Sequence, residues 1–539
     1  MRAPLLMTDD IRAIEARGLA ATSPGELMSR AATALAQVCA RHLRRMPAGT
    51  PVLALVGPGN NGGDALCAAA WLHTRGWSVQ AIALKAGPPA ADDAQRAWAR
   101  WNALGHIWLT LNQLEPWLQT RQPCMTLVID GLFGIGLQRP LEGPARTLVD
   151  TLHRFATHVI AADVPSGIDA ETGAIVGPPG SVAVRAAATV TFIADKPGLH
   201  TGAGRVHAGA VTVESLGLQV DLPTAGRLID RTAAQQWIRP RAPDAHKGSH
   251  GDVLVLRGAP AMQGASLLAL LGAQAAGAGR LYLGIDDRNT LQAGCATPSM
   301  ADPHHPEFMR RGLIVTDVTS PEAALQAWGP ADALVVGCGL GVDPWAQQVV
   351  ATALLHPGGL VLDADALNCI AQSAPRTSPL KSRSIQGRIT VITPHPLEAA
   401  RLLNTSTAAV QRNRIEAARQ LAQETGAVTV LKGAGTVIAW PSRASGSVTA
   451  DSTAWAINAS GGPLLAVAGT GDVLAGIVGA LLAQGLAAAD AACLGTWLHG
   501  AAADALAAQP QWSAGIGLPA SRLPEAVRET INQLAVDRS

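Results

Sequence analysis

Short runs of aliphatic and β-branched residues alternate with Ala-rich helical stretches along almost the whole chain, and most of these runs end in Gly or Asp. This rhythm constrains the fold more than any other feature, because near-continuous apolar strands separated by helices form parallel sheets covered on both faces. In the first half the strand candidates are Val52 to Val56, Val79 to Leu84, Thr126 to Ile129, His158 to Ala162 and Thr189 to Ala194. In the second they are Val253 to Leu256, Leu281 to Ile285, Ala333 to Val336, Leu360 to Leu362, Ile389 to Thr393 and Val428 to Leu431. Between the two sets, Ser215 to His246 carries Pro223, Pro240 and Pro243 and no clear strand, which puts a domain boundary near residue 226. The expected units are 1–226 and 227–539. Ligands of open parallel sheets sit beyond the carboxyl ends of the strands, so the residues just after each strand are the functional candidates.

Composition narrows the classes. With 41 Lys+Arg against 40 Asp+Glu, the chain has no global basic field to collect nucleic acid or anionic lipid. Cys39, Cys67, Cys124, Cys295, Cys338, Cys369 and Cys493 form no CxxC pair and read as reduced thiols of a cytosolic protein. Asp9, Asp10 and Glu15 interrupt the opening stretch, so a secretory signal is not expected. The one membrane-like passage, Val473 to Ala489, is rich in Ala and Gly, carries Gln484 and lies between Asp472 and Asp490. It reads as a buried helix of a large α/β domain. Only Lys85, Lys196, Lys247, Lys381 and Lys432 occur, so a Lys within a Gly-rich motif stands out.

Three loops of the first half attract attention. GPGNNGGDA, Gly57 to Ala65, follows a strand and precedes a helix expected to begin near Ala65. Such a loop lets backbone amides approach a ligand at a helix N-terminus; the plainer reading is a tight turn with Asp64 as N-cap. DGLFGIGLQRP opens at Asp130 and DVPSGID at Asp163. Parallel strands would bring Asn61, Asp130 and Ser166 to one sheet edge, where their oxygens would either hold a hard cation or cap loops.

These motifs, with DKPGLHTGAG from Asp195 to Gly204, resemble the epimerase domain of NAD(P)H-hydrate repair proteins over nearly all of residues 1–226. The resemblance implies a Rossmann-like domain that interconverts the R and S forms of hydrated NADH and NADPH. It implies a hydrate site lined by Asn60, Asn61, Gly62, Gly63 and Asp64, by Gly134, Ile135, Gly136, Leu137, Gln138, Arg139 and Pro140, and by Asp163. Asn61, Asp130 and Ser166 would hold a potassium ion. Asp163 is the candidate acid–base group, since the ring hydroxyl must leave and return, or the ring open, and a positioned carboxylate can assist as acid and base. Ala65 stands where many members have Gly, and LMSRAA at Leu27 to Ala32 stands for LMERAG.

In the second half AGTGDVL, Ala468 to Leu474, opens the long apolar helix. Its glycines can aim amides at a phosphoryl group, with Asp472 facing an attacking hydroxyl as base; the plainer reading makes Asp472 an N-cap. Lys432 opens KGAGT after a strand, and PHPLE and LDADALN put His395, Asp363 and Asp365 on the same rim. VVGCGLG adds a third Gly-rich loop, whose default role is close packing.

The series HKGSHG, GCGLG, LDADALN, TPHPLEAARLL, LKGAGT and AGTGDVLAG resembles the ADP-dependent NAD(P)H-hydrate dehydratase over roughly 228–539. That likeness implies a ribokinase-like fold, hence two three-layer αβα domains in all. ADP would phosphorylate the hydrate hydroxyl, phosphate would leave, and NADH or NADPH would be restored. Ala265, Gly339, His395 and Asp472 would contact the hydrate. Lys432, Gly433, Ala434, Gly435, Thr436 and Gly471 would hold the nucleotide, and Asp472 would be the base. Mg²⁺ is expected from the chemistry of phosphoryl transfer. The implied partners are NADHX, NADPHX and ADP, with a multimer suggested by the resemblance. RGAPAMQGA, Arg257 to Ala265, replaces GGSxxYxGA, and Cys338 replaces the Pro of GPGLG. A ribokinase-like kinase of an alcohol with an accessory domain is the competing function, and a nucleotide-binding scaffold without catalysis is the third.

Overall fold

A computed structural model describes residues 4–105, 108–120, 125–155, 157–220, 226–285, 304–313, 320–373, 376–441 and 453–537. It forms two compact units, divided between Gly226 and Arg227. Cys124 and Cys295 lie outside the described residues; the other five cysteines are free thiols.

The first unit carries strands β1 (Val52–Val56), β2 (Val79–Ala83), β3 (Leu127–Gly131), β4 (His158–Ala162), β5 (Ala188–Phe192) and β6 (Ala210–Glu214). Their order is β2-β1-β3-β4-β5-β6, and every pairing is parallel. Side chains alternate between two cores, as the strand period requires. Val52, Ala54 and Val56 face helices α1 (Thr8–Ala21), α2 (Glu26–Leu43), α3 (Asn60–His73) and α4 (Asp92–Ala103). Leu53 and Leu55 face α5 (Leu111–Gln119) and α6 (Gly143–Arg154). The chain leaves β1 toward β2 and returns to β3 on the other side, so a crevice opens at the carboxyl ends of β1 and β3. Gly57 closes its floor: a Cβ there would lie 1.7 Å from the Leu132 carbonyl oxygen.

The second unit carries β7 (Gly226–Ile229), β8 (Asp252–Leu256), β9 (Arg280–Ile285), β10 (Met309–Gly312), β11 (Ala333–Val336), β12 (Gly359–Leu362), β13 (Thr390–Ile392), β14 (Val428–Leu431), β15 (Val437–Pro441) and β16 (Thr453–Asn458). They run in the order β7-β16-β15-β14-β13-β12-β11-β8-β9-β10. The β14-β13-β12-β11-β8-β9-β10 stretch is parallel and β15 and β16 are antiparallel additions. The chain reverses direction across the sheet between β8 and β11, which opens a second crevice at their carboxyl ends. A Cβ on Gly258 would lie 1.8 Å from the Gly339 carbonyl oxygen, so the two loops touch there as well.

Among the helices of this unit are α7 (Gln263–Ala275), α8 (Ala364–Gln372), α9 (Pro396–Leu402), α10 (Arg414–Thr425), α11 (Thr470–Ala483), α12 (Ala488–Ala507) and α13 (Leu523–Val536). The membrane-like passage is resolved into α11 and the start of α12. Helix α11 is buried along nearly its whole length on β8, β11 and β12 and against α7 and α12. Its glycines allow a close crossing: a Cβ on Gly476 would lie 1.8 Å from Ala269 O, and one on Gly272 2.3 Å from Val473 O. Among the described residues no helix is long and apolar enough to cross a membrane. Strands β6, β7, β10, β15 and β16 were not foreseen. Strands β6, β7 and β10 lie at sheet margins, where one buried face suffices and the run of apolar residues is broken, as in MRRG of β10 and the half-exposed AVTVE of β6. Strands β15 and β16 lie inside the sheet and pair antiparallel, outside the alternation of strand and helix.

Candidate active sites

In the first unit α3 begins at Asn60, with Gly59 as its extended N-cap, and not near Ala65 as the loop reading expects. The glycines explain the early start. A Cβ on Gly62 would sit 2.2 Å from Gly57 O and one on Gly63 2.6 Å from the Met28 methyl, so only this pair lets α3 press against β1 and α2. Hydrogen bonding within the helix begins at Gly62 and Gly63, whose amides donate to Gly59 O. Asp64 is therefore not the N-cap but a buried residue of the first turns.

A cavity of about 430 Å³ occupies the crevice. Asn60, Asn61, Asp64, Gly134, Ile135, Gly136, Leu137 and Asp163 line it, with Glu15 from α1 and Met28 from α2. Gln138 and Arg139 are exposed and do not line it, and Pro140 lies against Gly177. Asp130 is fully buried at the end of β3. Its carboxylate accepts from Ser166 Oγ at 2.7 Å, Ser166 N at 2.8 Å and Leu132 N at 3.2 Å. Burial pushes its pKa up to about 6, against the pull of those bonds. The Asn61 amide oxygen and nitrogen are both buried with no hydrogen-bond partner.

Asp163 follows β4 in left-handed backbone, φ +64°. A non-glycine residue adopts that conformation only when its surroundings hold it there. Its amide donates to Val190 O at 2.7 Å, and its Oδ1 accepts from Phe192 N at 3.1 Å and lies 2.7 Å from the Lys196 ammonium. Asp64, opposite, has its pKa driven well up by burial and then by the charges of Asp163 and Glu15.

In the second unit Asp472 is the third residue of α11, and the helix is capped by Gly469 in left-handed conformation, φ +93°. Asp472 is thus not the N-cap either. Burial first, then the neighbouring Asp363 carboxylate, raise its pKa to about 6. Asp363, Asp472 and Cys338 bring oxygen and sulfur atoms within 4.8 Å of one another. Lys432 Nζ lies 2.5 Å from Asp363 Oδ1, which also accepts from Thr393 Oγ1 at 2.8 Å. Burial alone would loosen the Lys432 proton, but Asp363 and Glu398 outweigh it and raise its pKa. A Cβ on Gly471 would lie 3.3 Å from Lys432 Nζ, so the ammonium stands directly over the N-terminus of α11.

The Lys432 to Thr436 turn rests on Arg414, a buried guanidinium that donates to Leu431 O and Lys432 O at 3.1 Å each. Gly433, at φ +144°, leaves no room for a side chain against it, and Ala434 is exposed beside it. Gly435 takes φ +62° and Thr436 Oγ1 closes the turn onto Gly433. His395 caps α9: its Nδ1 accepts from the amides of Leu397 and Glu398 at 3.2 Å, and Nε2 lies 3.1 Å from Glu398 Oε1. The ring is thereby fixed as the Nε2–H tautomer, and burial lowers its pKa. Ala265 and Gly339 adjoin across the switch-point crevice, a Cβ on Gly339 lying 3.1 Å from that of Ala265.

A family model described as NAD(P)H-hydrate dehydratase matches residues 253–526, and one described as YjeF-related protein N-terminus matches 24–198. The bifunctional NAD(P)H-hydrate repair enzyme Nnr of Escherichia coli is 37% identical over 93% of this chain and 89% of its own. The chain belongs to the family of bifunctional NAD(P)H-hydrate repair enzymes. The Moorella thermoacetica member is 34% identical over 90% of this chain and 88% of its own. Among solved structures, the ADP/ATP-dependent NAD(P)H-hydrate dehydratase of Bacillus subtilis, co-crystallised with ATP and Mg²⁺, is 26% identical. It covers 59% of this chain and 100% of its own, with a TM-score of 0.45.

For this NAD(P)H-hydrate repair enzyme, sequence reasoning passed over Lys196, although it stands in DKPGLHTGAG and lysines are scarce. It noted Asp363 on the rim without giving it a part, and it missed Glu398, whose pKa burial raises to about 7. Lys196 shares no local spacing with Asp163, so only the parallel neighbours β4 and β5 bring them together.

Proposed function

We propose that residues 1–226 carry the epimerase and residues 227–539 the dehydratase of this repair enzyme: the first interconverts the R and S forms of NADHX and NADPHX, and the second dehydrates the S form with ADP. Asn60 to Asp64, Gly134 to Leu137 and Asp163 form the hydrate site of the epimerase, and Gln138, Arg139 and Pro140 follow outside the cavity lining. For the dehydratase, Lys432 to Thr436 and Gly471 hold the nucleotide, and Ala265, Gly339, His395 and Asp472 meet the hydrate. The observation that carries the reading is the grouping of Asp472, Lys432 and Asp363 at the N-terminus of α11. There a carboxylate able to take a proton near pH 6 stands beside an ammonium and free helix amides that suit a phosphoryl group.

The chemistry follows from what must leave. Hydroxide is a poor leaving group from the hydrated ring. Asp472 takes the hydroxyl proton as the oxygen attacks the β-phosphorus of ADP, and AMP departs. The C–O bond then breaks with the ring nitrogen's lone pair in support, phosphate carries the oxygen away, and loss of a proton from the adjacent carbon restores the dihydronicotinamide. Mg²⁺ accompanying the nucleotide would neutralise its phosphate charge. The donor that fits it is Asp363 Oδ2, because Lys432 and Thr393 engage Oδ1, whereas the Cys338 thiol suits softer metals. For potassium the unpartnered Asn61 amide beside Asp130 and Ser166 supplies hard oxygen donors of the right kind.

Cytosolic location and self-association into a multimer belong to the same reading. The test is incubation with hydrated NADH and ADP or ATP, following recovery of dihydronicotinamide absorbance and the products. AMP and inorganic phosphate in step with NADH are expected; a stable phosphorylated alcohol would mark a kinase instead.

A further inference from the structure

Lys196 lies outside the cavity lining and is 1% exposed, yet it touches the residue placed at the centre of the epimerase. Its Nζ lies 2.7 Å from Asp163 Oδ1, 2.7 Å from Thr191 Oγ1, 3.0 Å from Phe192 O and 3.3 Å from Ala194 O. Four oxygens crowd this one nitrogen, so its donors are all engaged within the protein. No donor remains for a substrate. Thr191 Oγ1, accepting from Lys196, can send its own proton to Asp163 Oδ1, 3.4 Å away.

Lys196, Thr191 and the Phe192 amide all reach the same carboxylate oxygen, Asp163 Oδ1. Among the described residues no hydrogen bond reaches Asp163 Oδ2, and a Cβ on Gly134 in the cavity wall would lie 3.3 Å from it. Across the cavity Asp64 makes no ion pair among the described residues and is buried in the first turns of α3. Glu15 and Arg12 of α1 and Asp93 of α4 complete the charged groups facing this space.

Resting on the epimerase reading, we propose that Lys196 is the positioning residue of that reaction: by holding Oδ1 it leaves Oδ2 of Asp163 aimed into the cavity, so that Asp163 is the base and Asp64, across the cavity, the acid. Carboxylates in unlike surroundings divide these roles in this way. Burial and the facing negative charges of Asp163 and Glu15 both favour the proton on Asp64. Asp64 protonates the hydroxyl on the hydrated carbon, the C–O bond breaks as the ring nitrogen's lone pair forms a C=N bond, and water leaves. Water then adds to the opposite face, the C=N electrons return to nitrogen, and the added water gives one proton to Asp163 Oδ2. Transfer of that proton back to Asp64 through cavity water restores both groups, and the net change is inversion alone.

The test uses the full chain and separated epimers, with interconversion followed by chromatography without ADP from pH 5 to 9. Lys196→Met is expected to move the acidic limb of kcat/KM upward by about one to three pH units, the effect of removing a cation beside a carboxylate. It should lower kcat at neutral pH while leaving KM within about twofold, as expected for a residue that acts on the base and not on binding. Thr191→Val should move the limb the same way by less, and it decides the matter if Lys196→Met does not fold. An unmoved limb in the folded variant would overturn the proposal while the epimerase reading stands. Absence of interconversion by the wild-type chain would overturn both.

Discussion

Asp163 and Asp363 belong to different sheets and are held alike. Each gives Oδ1 to a lysine and a threonine and leaves Oδ2 free of hydrogen bonds among the described residues. The lysines stand in DKPG and LKGAG, and neither motif reveals its partner, because the carboxylate follows a different strand, the adjacent one for Lys196 and the next but one for Lys432. The glycines and Asp472 were legible, since a Gly-rich turn before an apolar helix states its own geometry. Asp64 was legible as a candidate but not as a buried acid, because the packing of Gly62 and Gly63 decides where α3 starts. Asp472→Asn keeps the shape and removes the base, so dehydration should fall about 10²- to 10⁴-fold. In the unaltered protein the dehydration rate should climb through pH 6 and level off above it, because the carboxylate must be ionised to accept the proton. A rate flat from pH 5 to 8 would remove Asp472 from that role.

At the scale of elements, both sites sit where the strand order reverses, and at each a glycine without room for a Cβ joins the two loops. Gly57→Ala would drive a methyl group into Leu132 O, and Gly258→Ala into Gly339 O. Each should cost about 1–3 kcal/mol, the usual range for overpacking, and depress only the activity of its own unit. Calorimetry with separate epimerase and dehydratase assays checks both; equal losses of both activities in either variant would refute the local account. The central parallel strands were readable because each is buried on both faces. The marginal strands were not, since an edge needs no unbroken apolar run, and β15 and β16 pair antiparallel beyond the reach of the βαβ pattern.

For the whole molecule, two cores with separate sheets imply separable activities. Asp163→Asn should abolish epimerisation and spare dehydration of the pure S epimer, and Asp472→Asn should do the reverse; loss of both activities in either variant would contradict this division. Potassium gives a second test. The folded chain holds the Asp130 proton up to about 6, against 3.8 for the ordinary side chain, so it binds more protons than the unfolded chain between those values. Asp130's contribution to stability therefore declines as pH rises through that window. A cation at the carboxylate reverses the penalty, so potassium should raise the unfolding temperature more at pH 8 than at pH 5. Equal shifts at both would argue against Asp130 as a ligand.

The meeting of Gly57 with Leu132, and of Gly258 with Gly339, also bears on how the sites come into being. Each joins segments far apart in the chain, whose closure waits on the strands and helices between them. A ligand has nothing to grip until that closure is made. Substrate-analogue binding during refolding should therefore appear with the last kinetic phase of its unit, which makes each pocket a reporter of completed assembly.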